Sequence, residues 1–313
     1  MPLADKLTRM TEKGVNLFDL VVDRGQTRIA QLEKATGIDI NQDGRLGDKR
    51  VYCSNRELER MTDEELDRPE MFNAIHYDEA KAEMGTGDII LLHGTELFSM
   101  TIKSATRSWY SHVSLVIRDP PNDILKLYGL ENETDPDGLY VFESDSETED
   151  GREGGGVQMR PLRKWVVEMK RYYAVERQAR FFLAWRRMVW KAPPGCPSLQ
   201  RRKTCEFPDF IKVLHEAHGK SYEKKPVQMV ASTVHLNQKE DLSSVFCSEL
   251  VAWSYKALGI FTPAENASNW VPLQFSWTYK SDIVNEHTKL AGKLDKDRRL
   301  RIEVPGAECS TKY

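Results

Sequence analysis

The chain has 313 residues, 40% hydrophobic and 30% charged, with a formal net charge of −3. That length supports one large domain, or one domain with a small added module, and the near-balanced charge gives no electrostatic case for nucleic acid as a partner. The opening MPLADKLTRMTEK lacks the apolar core of a secretory signal, no run approaches the roughly 18 apolar residues of a membrane span, and five irregularly spaced cysteines make no disulfide framework, so the expectation is a soluble, cytoplasmic protein.

Residues 1–85 read as a charged, mostly helical N-terminal module. The main domain is expected over 86–280 and a fraying C-terminal tail with one strand over 281–313. Within the main domain GDIILLHG, SHVSLVIRD and LYVFES carry the apolar runs of strands, separated by the turn-rich DPPND and ENETDPDG. The acidic SDSETEDGREGGG (144–156) is expected to be an exposed loop. GVQMRPLRKWVV and RYYAVERQAR then read as a strand, a short helical turn and another strand. Residues 181–191 (FFLAWRRMVWK) read as a helix with Phe181, Trp185 and Met188 on one face. That helix is expected to pack in the core with its arginines snorkelling; the alternative is peripheral membrane contact through 181–191. FPDFIKVLHEAHGK is a helix ending at Gly219, and a further helix over 246–258 is stopped by Gly259. The fold class is therefore α+β.

The chemistry-bearing residues cluster at the start of that last helix. From Cys247, Leu250, Val251, Ser254 and Leu258 recur at i+3, i+4, i+7 and i+11, so the cysteine shares the core-facing side. It also occupies the first turn, where free N–H groups and the helix dipole favour a thiolate when a cation stands nearby. A buried structural thiol has the same sequence signature. A nucleophile needs a base, and His112 opens a strand that aims it rigidly, with Ser114 and Val116 on its side. Glu143 ends another apolar strand, where a carboxylate is costly unless paired, and it would fix the tautomer of an imidazole beside it.

GDIILL, SHVSLVI, LYVFES, GVQMRPLRKW, a helix with HGKSYE, and FCSELVAWSYKALGI follow one another in an order that resembles the permuted papain-like hydrolases of the YiiX type, relatives of the NlpC peptidases and the lecithin:retinol acyltransferase group. The resemblance spans about 87–275. It implies an antiparallel sheet packed on the nucleophile-bearing helix, with the histidine strand preceding the cysteine helix in the chain. It implies Cys247 as nucleophile, His112 as base and then acid, Glu143 as the orienting group, and the Cys247 backbone N–H as one oxyanion donor. The stretch 178–207 is longer than the family's usual link, and residues 1–85 lie outside the resemblance.

In that outer region GIDINQDGRLGDKR looks like an EF-hand loop. Asp39, Asn41 and Asp43 occupy positions 1, 3 and 5, Gly44 position 6, Arg45 offers its carbonyl at 7, and Leu46 stands at 8. Arg50 replaces the closing glutamate at position 12, with Asp48 two residues earlier. Ca2+ binding and a metal-free turn both remain open. His215 and His218 lack further zinc ligands at suitable spacing and are expected to face solvent. The leading expectation is a thiol hydrolase or acyltransferase acting on a peptide, isopeptide or lipid acyl carbonyl. The alternative is a catalytically silent calcium- or partner-binding protein on the same scaffold.

Overall fold

A computed structural model describes residues 55–69, 71–94, 103, 108–145, 155–191, 202–222, 242–277, 283–287 and 292–304. The EF-hand-like loop, with Asp39, Asn41, Asp43, Arg45 and Asp48, lies outside the described residues. The strands are β1 (Ile75–His76), β2 (Ile89–His93), β3 (His112–Arg118), β4 (Leu139–Ser144), β5 (Val157–Pro161), β6 (Phe182–Arg186), β7 (Met188–Trp190), β8 (Ser221–Tyr222), β9 (Ser244–Val245), β10 (Gly292–Leu294) and β11 (Arg298–Arg301). The helices used below are α1 (Asn55–Arg60), α2 (Asp63–Asp67), α3 (Tyr77–Ala80), α4 (Asn122–Leu127), α5 (Leu162–Arg171), α6 (Pro208–Ala217) and α7 (Cys247–Ala257).

Among the described residues seven strands form the main sheet, in the order β1-β11-β6-β2-β3-β4-β5. The expected antiparallel pairing holds from β11 to β5, but β1 and β11 pair in parallel, so the sheet is mixed. Both members of that parallel pair come from outside the expected 86–280 domain. β1 precedes it and β11 lies in the expected tail, so segments from both flanking regions are built into the main sheet.

The sheet is covered on both faces. One core cluster takes Ile89, Leu91, Val113, Leu115, Ile117 and Phe142 together with α7 and α6; the other takes Ile90, Leu92, Val116, Leu139 and Val141 together with α5. Two covered faces explain why IILL and SLVI read as unbroken apolar runs, because neither side of the strand meets water. Burial of this kind contributes roughly 1.5–3 kcal/mol per large aliphatic side chain.

Residues 181–191 are not a helix. Phe182–Arg186 is a central strand between β2 and β11, with Phe182 and Ala184 in one core cluster and Leu183 and Trp185 in the other. A short run apolar on both faces fits a helical period as readily as a strand. The membrane contact read into this stretch supposed a helix; in the strands that form instead, Trp185, Met188 and Trp190 are inside. Arg186 is also buried; its Nε lies 3.1 Å from Asp297 Oδ1 and it donates to the carbonyls of Asp295 and Phe275 at 2.7 Å. The strand expected over RYYAVERQAR is instead the end of α5 and a π-helical turn, Tyr172–Glu176, closed over the buried Tyr173. No helix among the described residues is long and apolar enough to cross a membrane.

Candidate active site

Cys247 is the first residue of α7, and the helix is more deeply placed than an amphipathic pattern implies. Every residue from Cys247 to Tyr255 is buried, because α7 packs on β3 and β4 on one side and on α6 and residues 267–269 on others. Its polar groups are satisfied internally: Ser254 Oγ donates to Leu250 O (2.7 Å) and the Tyr255 hydroxyl to Gly87 O (2.9 Å). The approach to Cys247 is pinned twice. Ser144 Oγ at the end of β4 donates to Val245 O (2.7 Å), and Glu249 Oε2 accepts from the Phe246 N–H (2.8 Å). β8 then pairs with β9 so that Tyr222 stands opposite Val245.

His112 opens β3 at the same end of the sheet. Its Nε2 lies 2.9 Å from Glu143 Oε2. An ionised carboxylate can only accept, so Nε2 carries the proton there and Nδ1 is left for the thiol. Cys247 is near enough for its charge to act on the His112 imidazole, whose side chain is 13% exposed. The three residues named from the sequence are thus brought together in the order Cys247–His112–Glu143.

Glu143 is 1% exposed and richly held. Ser114 Oγ donates to Oε2 (3.1 Å), Gln158 Nε2 to Oε1 (3.4 Å), and Arg160 makes a close ion pair with Oε1. The register explains the set. Gln158 is directly opposite Glu143 on β5, and Arg160 opposite Val141, so the alternation of β4 and β5 turns Glu143, Gln158 and Arg160 to one face. Burial pushes the Glu143 carboxyl up, but the Arg160 guanidinium and the His112 imidazole pull it down harder, to about 2. Burial pushes the His112 imidazole down; the charge and hydrogen bond of Cys247, with those of Glu143, outweigh it and raise it well above its ordinary value. Burial and the negative field of Cys247, Asp145 and Glu249 keep the Tyr222 phenol protonated, so it can donate a hydrogen bond.

Arg160, Gln158, Ser114 and Tyr222 were not singled out by sequence reasoning. The signal was present for two of them. In GVQMRP the polar Gln158 and Arg160 alternate with Met159, the pattern of a strand face that meets something polar. His215 and His218 are exposed, as expected. Among the described residues no three His, Cys, Asp or Glu side chains converge as a metal site.

No family model matches the chain, and no curated protein matches it. Among solved structures it is similar to the crystal structure of metalloprotein yiiX from Escherichia coli O157:H7 (DUF1105), at 21% identity and a TM-score of 0.33, over 56% of this chain and 68% of that one.

Proposed function

We propose that the protein is a thiol-dependent hydrolase or acyltransferase on a permuted papain-like scaffold, with Cys247, His112 and Glu143 as its working residues. The observation that carries this reading is the His112 imidazole held 2.9 Å from the buried, ionised Glu143, with Cys247 at the start of its helix as the other group acting on the same ring. His112 takes the thiol proton, and the Cys247 sulfur attacks a carbonyl carbon, forming the C–S bond and pushing the carbonyl electrons onto oxygen. The Cys247 N–H at the helix start receives that oxyanion, and Tyr222 is our candidate for the second donor. Collapse breaks the C–N or C–O bond, and the leaving group takes the proton back from His112. Water or another acceptor then attacks the acyl-enzyme in the reverse order. Peptide, isopeptide and lipid acyl groups all present the required carbonyl.

The silent-scaffold alternative draws on one observation: Cys247 is only 3% exposed. An activated ester, p-nitrophenyl acetate, separates the two. After acid quench, peptide mass spectrometry should find an acetyl group on Cys247, formed much more slowly in His112→Ala and absent in Cys247→Ala. Failure to acylate Cys247, or acylation indifferent to His112, would favour the silent scaffold. Calcium at Asp39, Asn41, Asp43, Arg45 and Asp48 is a separate proposal, tested by calorimetric titration of the whole protein with Ca2+ against Asp39→Ala; no heat, or heat that survives the substitution, retires it.

A further inference from the structure

The Glu143 carboxylate is divided. Oε2 faces His112 at 2.9 Å and Ser114 at 3.1 Å, while Oε1 is taken by the Arg160 guanidinium and by Gln158 at 3.4 Å. Arg160 is itself buried, on β5. A buried cation beside a buried triad carboxylate is expensive to place there, because each ion surrenders its hydration. A triad that needed Glu143 merely to orient His112 would be served by a neutral amide at that position.

Counting the charges shows what the cation does. With the proton on Cys247, the buried set comprises Arg160 positive, Glu143 negative, and a neutral thiol and imidazole. With the proton on His112, the four alternate along the chain: Arg160 positive, Glu143 negative, His112 positive, Cys247 negative. Both states sum to zero. Without Arg160 both would carry a net negative charge in a poorly solvated site, and such a site relieves that charge by binding a proton. Among the described residues the other charged groups acting on Arg160 are Glu168 of α5, whose Oε2 is 3.9 Å from Nη1, and Asp145 just past β4. Glu168 is 36% exposed, so water screens it.

We propose that Arg160 is a positioning residue of this site: by holding Oε1 of Glu143 it reserves Oε2 for His112, and it keeps the buried four-residue set neutral in both positions of the Cys247–His112 proton. The charge argument for Cys247 rests on the function proposed above; the hold on Glu143 does not. Arg160 touches neither the sulfur nor the imidazole and acts through the carboxylate.

Two readouts on the whole protein separate these parts. Infrared titration follows the Glu143 carboxyl, identified by the band lost in Glu143→Gln. Peptide-level mass spectrometry follows the pH profile of Cys247 labelling by iodoacetamide. In Arg160→Gln the protonated Glu143 band should appear at distinctly higher pH than in the wild type, and labelling at about pH 5 should drop at least about tenfold relative to pH 8, beyond the wild-type fall. Arg160→Lys keeps the charge and should restore the Glu143 titration. A purely structural arginine would leave the Glu143 titration and the shape of the labelling profile unchanged in Arg160→Gln, and that result overturns the proposal. If Arg160→Gln does not fold, the double variant Arg160→Met with Glu143→Gln replaces the ion pair by neutral groups. It should label like Glu143→Gln alone; a further loss in the double variant overturns the proposal. A Glu143 titration that shifts while labelling ignores His112 would fault the thiol-enzyme reading and leave the Arg160–Glu143 hold standing.

Discussion

His112 and His93 sit on neighbouring strands, both largely buried, each with a glutamate at Nε2 and a lysine or arginine close by. His93 ends β2; its Nδ1 meets Trp109 O at 2.7 Å, its ring stacks on Trp109 with centroids 3.9 Å apart, and its Nε2 lies 3.3 Å from Glu59 Oε1 of α1. Yet burial, together with the positive charge of Lys103, holds His93 below its ordinary value against the opposing pull of Glu59, while His112 is held above its own. The order of charges makes the difference. Around His112 the cation stands beyond the carboxylate, and a second acidic group, the Cys247 thiol, also acts on the ring. Around His93 the cation touches the ring directly, with Lys103 Nζ 3.2 Å from Nε2, and its glutamate side chain is 48% exposed and diluted by water. A buried histidine with a carboxylate neighbour is therefore not by itself a base in waiting; the sequence of ions along the contact decides which proton state it keeps.

The largest expected contrast is in reactivity. His112→Ala should slow Cys247 acylation by about a hundredfold or more, the usual scale of a lost acid–base group. His93→Gln should leave that rate near the wild-type value, because no contact of His93 leads to the sulfur. Equal losses in the two variants would erase the contrast.

A second contrast is in stability. Glu143 is held near 2 against an ordinary 4.5, so its contribution is fully present above about pH 4.5 and drains away as pH falls toward 2. The stability gap between the wild type and Glu143→Gln, read from urea melts, should therefore narrow by on the order of 3 kcal/mol over that window. A gap that stays constant with pH would show that Glu143 is not held as an ion.

Proton NMR of the imidazoles sharpens the comparison directly. With signals assigned from the two variants, His112 should titrate above 6.5 and His93 below it. The signs for stability are opposite. The His112 contribution is present below 6.5 and lost as pH rises through its raised folded value, whereas His93 costs stability as pH falls below 6.5, where the unfolded chain binds a proton that the folded chain refuses. Cys247→Ala should lower the His112 titration and leave His93 alone. The smallest effect is expected of Glu59→Gln, which removes a half-exposed carboxylate and should cost less than about 1 kcal/mol; a loss of several would mean that α1 is held to the sheet mainly through His93 rather than through the bonds of Arg180 to Leu58 O and Met61 O.

The site was legible where chemistry and pattern coincide. Cys247 at a helix start, His112 at the head of an apolar strand and Glu143 at the end of another are each costly in those places unless partnered, and the structure gives them one another. Arg160 was harder to see, since a lone arginine in a short strand looks like a surface residue until the register sets it beside Glu143. The strands at Ile89–His93 and His112–Arg118 were readable from their composition. Phe182–Arg186 was not: it lacks the β-branched residues of those two strands, and Phe181, Trp185 and Met188 recur at a helical spacing. Nor does any local signal announce that Arg298–Arg301 crosses back to lie between Phe182–Arg186 and Ile75–His76: those pairings join residues more than one hundred and more than two hundred positions apart.

The central claim is that His112 activates the Cys247 thiol, and the pH dependence of Cys247 alkylation by iodoacetamide tests it most directly. Peptide-level mass spectrometry resolves Cys247 from the exposed Cys205, which serves as the internal reference. Cys247 should label faster than Cys205 below neutral pH, and in His112→Ala that advantage should vanish while Cys205 is unaffected. Slow labelling of Cys247 in the wild type, or fast labelling that survives the loss of His112, would contradict the account.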